Sequence, residues 1–373
     1  MITWEADKGK GQRSMCNGQW AMLLMALGMA LSGCSMIDED LSDCETPEPP
    51  EEEVDINYEL QLVTNMSTEI KTELDMHAEF AISAALKTQL SEIFSDFAHD
   101  VDLSFYDTQG DSVRLQHDQH IMDANQASYT LNLPKRNYMH LATANILDNR
   151  LVNLVSDDYC HPSELKQIAG DTIESHNTGL FTARLPMEVK EGVDQHFYVR
   201  LFMANCAAAL VIDPRGYDSD SIRVYSTGFA TGFNICDSSF QYVEKPPIVR
   251  TSHLKLKGEE ELPCYYTVTF PSREPSTTTK ADARDTRSVI ETTYPFIAQP
   301  GDETLWEFRV YVPRHDGTIT ETRLRVRLPL RAGQLKIIRG WVREDGGVET
   351  KDQTVGVSVT LDWNDAGHHE VPL

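Results

Sequence analysis

From Val54 onward the chain sets apolar residues at every second position in short runs. Ile56, Tyr58, Leu60 and Leu62 give the pattern of a strand with one buried face. Val101, Leu103 and Phe105 repeat it, Tyr129, Leu131 and Leu133 repeat it before Pro134, and Tyr138, His140 and Ala142 continue it. Residues 84–97 switch to helical spacing: Leu86, Leu90, Ile93, Phe94 and Phe97 fall on one face, after Ser83 as cap. Residues 150–178 are polar and read as loop or short helix, and Phe181 to Val189 reads as a further strand.

A second series begins near Gln195. Phe197, Val199, Leu201 and Met203 alternate, and Ala207 to Ile212 is apolar throughout, as in a strand buried on both faces. Asp213-Pro214-Arg215-Gly216 is a turn, and strands are expected at Ile222–Phe229 and Tyr265–Phe270. Ser272 to Ser288 is a long polar loop. Trp306, Phe308, Val310 and Val312 alternate up to an Asp316-Gly317 hairpin turn, and Leu324, Val326, Leu328 and Leu330 return with arginines 323, 325 and 327 between them. A strand through Leu335 and Ile337 to Trp341 leads to the Asp345-Gly346-Gly347 turn. Val355, Val357, Val359 and Leu361 close the pattern and are expected to share one buried face. This predicts an all-β fold of antiparallel sandwiches with a crossover helix, divided into domains at 54–192 and 193–373.

The first residues follow neither period. Trp20 to Leu31 is an apolar run of twelve residues, short of the roughly 20 needed to span a bilayer but right for a signal-peptide core. It ends in Leu31-Ser32-Gly33-Cys34, which resembles the bacterial lipobox. That resemblance implies that residues 1–33 are removed and that Cys34 is acylated on its sulfur and on its new amino end. A plain secretory signal with a chance cysteine is the alternative. Residues 34–53 form a tether, with nine acidic side chains and three prolines between 38 and 53, so repulsion and proline geometry keep it extended. Acidic residues shortly after such a cysteine resemble a signal for surface export in Bacteroidetes-type lipoproteins; a solvated linker without sorting meaning is the competing reading. Translation from Met15 would leave a very short segment without Lys or Arg before the apolar run.

Charge narrows the function. The 373 residues carry a formal net charge of -25, which argues against gripping nucleic acid or an anionic membrane face. The seven cysteines show no CxxC spacing, so a structural zinc site is not expected, and Cys206 reads as a small core residue. No nucleophile-elbow, phosphate-loop, dinucleotide, zinc-protease or calcium-loop motif is present. His117 and His120, with Asp123, could supply metal ligands but read as a solvated loop, and His368-His369 lies outside any periodic segment. The expectation is a protein that is not an enzyme and has no cofactor.

Two stretches carry a family resemblance. Leu31 to Cys44, with acidic residues and a second cysteine close behind Cys34, resembles the start of the FimB/Mfa2 family of fimbrial anchor subunits. Gln353 to Trp363, ending in Leu361-Asp362-Trp363, resembles its last strand, and Phe197 to Ile212 resembles the first long strand of its second domain, though Asn205-Cys206 departs from it. The resemblance implies two transthyretin-like β-sandwich domains with one or two short crossover helices. It also implies a lipid-anchored protein of the cell outer membrane, facing the exterior, that holds the base of a fimbria. Its partners would be fimbrial stalk subunits (fimbrillins), joined by strand addition, and outer-membrane lipid. The competing classes are a surface glycan-binding lipoprotein, for which Trp306, Trp341 and Trp363 would have to form an exposed platform, and a tip or accessory subunit.

Overall fold

The computed structural model describes residues 52–63, 67–69, 76–91, 93–94, 100–108, 114–121, 128–155, 164–256, 262–275, 304–352 and 354–360. They belong to one unit, Glu51–Leu373. Along the chain come β1 (Glu53–Val63), β2 (Ser67–Glu69), helix α1 (Met76–Leu90), β3 (Val101–Asp107), β4 (Arg114–Ile121), β5 (Ser128–Pro134), β6 (Asn137–Ala144), β7 (Val152–Val155) and β8 (Glu164–Gln167). These are followed by β9 (Thr172–Glu174), β10 (Phe181–Glu188), β11 (His196–Met203), β12 (Cys206–Asp213), β13 (Arg223–Thr227), β14 (Gly232–Asn234), β15 (Ser239–Gln241), β16 (Ile248–Arg250) and β17 (Ser252–Leu256). The last are β18 (Leu262–Thr269), β19 (Trp306–Pro313), β20 (Ile319–Val326), β21 (Gln334–Val342), β22 (Val348–Thr350) and β23 (Val355–Thr360).

The strands form four sheets. The first runs β4-β3-β6-β10-β11-β1-β5; the second runs β17-β18-β12-β21-β2, with β22 also on β21; the third runs β23-β20-β19-β13-β16-β9; the fourth runs β15-β14-β8-β7. The fold is therefore all-β, with sheets packed face to face and one helix among the described residues. Most pairs are antiparallel, but β1 lies parallel to β11, β12 to β21, β2 to β21 and β9 to β16.

The burial pattern shows how the sheets stack. One core unites Leu60, Leu103, Leu131 and Leu201 of the first sheet with Ala207, Ala209, Val211 and Val268 of the second, and with Leu86 and Leu90 of α1. Another unites Ala208, Leu210 and Ile212 with Phe308, Val310, Val224 and Leu324 of the third sheet. Successive residues of a strand point to opposite faces, so β12 feeds two cores at once. That is the physical reason for its unbroken apolar run. A third core, with Leu141, Val152, Leu165, Phe233 and Phe270, lies between the fourth sheet and the outer face of β3 and β6. The expected boundary at 192/193 falls between β10 and β11, which are neighbours in the first sheet, and β11 pairs β1 over seven positions.

The helix differs from expectation. It spans Met76–Leu90, so Ser83 is a buried residue within it and not its cap. Ile82, Leu86 and Leu90, four apart, supply its buried positions. After Leu90 the chain tightens into a turn in which the amides of Ile93 and Phe94 both donate to the Leu90 carbonyl, at 3.0 and 2.9 Å. This keeps Ile93 and Phe94 on the core although the helix has stopped; Phe97 lies outside the described residues. The stretch 150–178 also differs: it holds β7, β8 and β9 rather than loop and short helix, because cross-strand partners in the third and fourth sheets supply the order that its polar sequence does not announce.

The turns follow their sequences. Gly317, in the β19–β20 hairpin, has φ +86°, and the Asp316 carboxylate accepts from the Thr318 amide and hydroxyl at 3.0 and 2.6 Å. Gly228 is demanding in another way. At φ +104°, a Cβ there would stand 2.6 Å from the Leu305 carbonyl oxygen and the Trp306 Cα, so only glycine lets β13 leave the sheet against β19.

Candidate functional site

The outer face of the first sheet is covered unevenly. The fourth sheet buries Tyr106 and Leu141 on β3 and β6, whereas β11, β1 and β5 keep alternating exposure on that side. On β11 the exposed set is His196, Tyr198, Arg200 and Phe202; on β1 it includes Asp55, Asn57 and Gln61; on β5 it is Ser128, Thr130 and Asn132. Phe202 is 58% and Tyr198 46% exposed, unusual for rings of that size on a packed sheet. The Arg200 guanidinium lies 5.5 Å from the Tyr198 ring centre. The Tyr198 hydroxyl donates to Gln61 at 2.5 Å, and His196 Nε2 stands 3.3 Å from the Glu59 carboxylate. The result is an ordered, mixed polar and aromatic surface.

This face ends at a free sheet edge. Among the described residues β5 has no strand on its outer side. Its sequence, Ser128-Tyr129-Thr130-Leu131-Asn132-Leu133-Pro134, carries no charge, while the opposite edge β4 carries Arg114 and Asp118. Charged side chains are a common guard against unwanted edge pairing, so an uncharged seven-residue edge is open to an added strand. The neighbour of β5 is β1, the longest described strand, held over seven residue pairs by β5 and seven by β11. In sequence the acidic stretch 34–53 precedes β1, and β1 is the strand next to this edge.

Other residues singled out from the sequence fall as follows. Cys34, its lipobox, Asp123, Trp363 and His368-His369 lie outside the described residues. His117 and His120 belong to strand β4, not to a loop. Among the described residues no three His, Cys, Asp or Glu come together as metal ligands. Cys206 and Cys264 are buried, Cys236 is half-buried, and none is bonded to another. Burial pushes the Cys206 thiol up, and its Sγ donates to the Phe270 carbonyl at 3.4 Å. Trp306 is buried, and Trp341 carries Arg215 at 5.0 Å and Lys351 at 5.9 Å over its ring. The described tryptophans thus form no bare aromatic row. Arg323 and Arg325 lie on the outer face of the third sheet, paired with Glu321 at 2.9 Å and Glu307 at 3.8 Å. No described helix is long and apolar enough to cross a membrane.

The sequence reading anticipated β1 and β5 but not the edge between them and solvent. Edge position depends on strand order, and β5 pairs β1 across more than 60 intervening residues, which no local pattern encodes. The absence of charge in 128–134 was the one available signal.

An all-β, multi-sheet protein in which, among the described residues, an open edge lies next to β1 is the class these features define. No family model matches the chain, and no curated protein matches it in sequence. Solved structures similar to it include the fimbrial anchor protein Mfa2 from Porphyromonas gingivalis, at 12% identity and TM-score 0.42, covering 83% of this chain and 98% of that one. They include the tip fimbrial protein Mfa3 from the same organism, at 10% identity and TM-score 0.39, covering 83% and 100%. A Bacteroides thetaiotaomicron protein proposed to bind polysaccharide matches at 10% identity and TM-score 0.46, covering 81% and 97%.

Proposed function

We propose that this protein is a surface-exposed outer-membrane lipoprotein that anchors the base of a fimbria and joins its first stalk subunit by strand addition, with no enzymatic activity. Cys34 holds it to the membrane, residues 34–53 lift the body clear, and the β5 edge receives the partner strand.

The observation that carries this reading is the placement of β1. An anchor must bear tension between its lipid and its fibre. Force entering at Glu53 reaches an interior strand tied on both sides over seven residue pairs. Pulling along such a strand shears its flanking hydrogen bonds together instead of peeling them singly. A partner added to β5 would sit one strand away, so the load would cross a short, continuous hydrogen-bonded path. The lipobox, the acidic tether and the resemblance of both chain ends to fimbrial anchor subunits support the same reading.

The test charges the edge. Thr130→Lys with Asn132→Lys adds two cations on exposed positions of β5 and should change folding stability by no more than about 0.5 kcal/mol per site. Cells carrying this variant are expected to keep the lipoprotein in the outer membrane and to shed fimbriae into the medium. Normal fimbrial retention would rule out β5 as the joint, and normal retention in cells lacking the protein would remove the anchor function.

A further inference from the structure

A second site, independent of the anchor reading, lies where the chain changes sheets. β16 belongs to the third sheet and β17 to the second, and Thr251 is the residue between them. The corner leaves a half-open cavity of about 250 Å³ between β13, this crossing and the Ser219–Asp220 turn. Its lining includes Arg223, Arg250, His253, Tyr265, Tyr225 and Asp220.

Two features of that lining point to a ligand. The first is cationic. Arg223 and Arg250 both line one small cavity in a chain whose net charge is -25. Arg250 Nη1 pairs with Glu174 at 3.2 Å, but its Nε is buried without a hydrogen-bond partner among the described residues. The Arg250 side chain is nevertheless 43% exposed and lines the cavity, and a carboxylate is the group whose geometry matches a guanidinium. The single acid in the lining, Asp220, is occupied: Lys255 lies 3.6 Å from its carboxylate, and its main-chain carbonyl accepts from Arg223 at 2.6 Å. The second feature is a flat ring surface. His253 and Tyr265 are directly cross-strand, and their rings stack at 4.8 Å and 23°. Tyr265 is fixed from below by its hydroxyl, which donates to the Ser219 carbonyl at 2.8 Å, while His253 is exposed. Partial desolvation of the ring lowers the His253 pKa.

We propose that this cavity binds a saccharide unit bearing a carboxylate, such as a uronic acid. The carboxylate sits against Arg250 and Arg223, and the C–H face of the sugar ring lies on His253. The cavity is smaller than the roughly 300–1,000 Å³ of drug-sized sites, which suits one sugar ring and not an extended chain in cross-section.

The experiment titrates the full chain in detergent with glucuronic acid, glucose and acetate, read by calorimetry. Glucuronic acid is expected to bind at least about tenfold more tightly than either glucose or acetate. Arg250→Lys keeps the charge but loses the planar fork, and His253→Ala removes only an exposed ring; each should weaken glucuronic acid binding about fivefold or more. Arg325→Gln, on the same sheet but outside the cavity, should leave it within twofold. A thermal melt of each variant separates loss of binding from loss of fold, and His253→Ala stands as the measurement if Arg250→Lys unfolds. Acetate binding as tightly as glucuronic acid would overturn the saccharide assignment, and no difference between wild type and His253→Ala would overturn the site.

Discussion

His140 and His176 are fully buried, and burial pushes both imidazoles down to about 4. Their surroundings fix which nitrogen holds the proton. His140 Nδ1 donates to the Ser104 carbonyl at 3.1 Å, which leaves Nε2 to accept from the Tyr58 hydroxyl at 2.7 Å. The His176 Nδ1 accepts from Asn205 at 3.0 Å, so Nε2 keeps its hydrogen. Between pH 6.5 and about 4 the unfolded chain takes up a proton at each site that the folded chain excludes. Stability therefore rises with pH through that window and is fully present above it. Asp100 works in the opposite sense, because burial raises its carboxyl against the amide hydrogen bonds of Ile146 and Leu147. Asp352 is different again: burial would raise it, but Lys336 at 3.0 Å and Thr354 outweigh that and hold it low, so its loss comes at more acid pH. Urea unfolding at pH 7.5 and pH 5 should show a loss of about 2 kcal/mol per histidine on acidification. His140→Gln should be less stable at pH 7.5 yet lose about 2 kcal/mol less between the two pH values. An unchanged pH dependence would mean that His140 is not held neutral by the core.

At the scale of elements, β1 is the strand on which most depends. The Asn57 amide donates to the Gln195 carbonyl at 2.9 Å, and Asn57 also pairs with Thr130 on β5. Asn57→Pro removes that donor in the middle of the strand and should cost about 3 kcal/mol or more. Glu53→Pro, at the first residue of the strand, should cost well under 1 kcal/mol. Equal effects in denaturant unfolding would show that β1 is peripheral and could not carry load. Strands like β1 were legible because one face is wet and the other dry, which prints the two-residue period directly on Ile56, Tyr58 and Leu60. β11 and β19 are legible for the same reason. The short strands β14 to β17 were not, since three to five residues under mixed cover leave too few positions for a period to show. The spacing of Ile93 and Phe94 from Leu90 continues the helical pattern, although the chain has already turned there, so the pattern places the helix further downstream than Met76–Leu90. Between β11 and β12 the sequence shows only Asn205 inside an apolar run. Its side chain accepts from the Leu180 amide at 2.7 Å and meets His176, which is how a polar residue is accommodated where the chain passes from one sheet to the next. The polar interruption was visible, but the change of sheet it marks depends on partners far away in sequence.

For the whole molecule, membrane attachment and fibre attachment are separable in the proposed arrangement, because they lie at opposite ends of one path through β1. Removing residues 1–33 takes away three basic and two acidic residues and leaves a net charge of -26, so the body itself has little attraction for an anionic membrane surface. In the proposed arrangement attachment would then rest on acyl groups at Cys34. A single chain binds only marginally, whereas two or more hold firmly. Cys34→Ala should abolish acyl labelling and release the folded protein from the membrane fraction. Because the β5 edge is untouched, fimbriae are expected to leave the cell with the variant still at their base and to co-purify with it from the medium. The edge variant predicts the complementary distribution, with the lipoprotein on the cell and the shed fimbriae free of it. Comparing the two by immunoblot of cell and medium fractions therefore distinguishes a failed lipid anchor from a failed joint. If the Cys34→Ala protein stayed with the membrane and kept its acyl label, the lipid would be attached elsewhere. If fimbriae remained on Cys34→Ala cells while the variant itself was released, something other than this chain would be holding them.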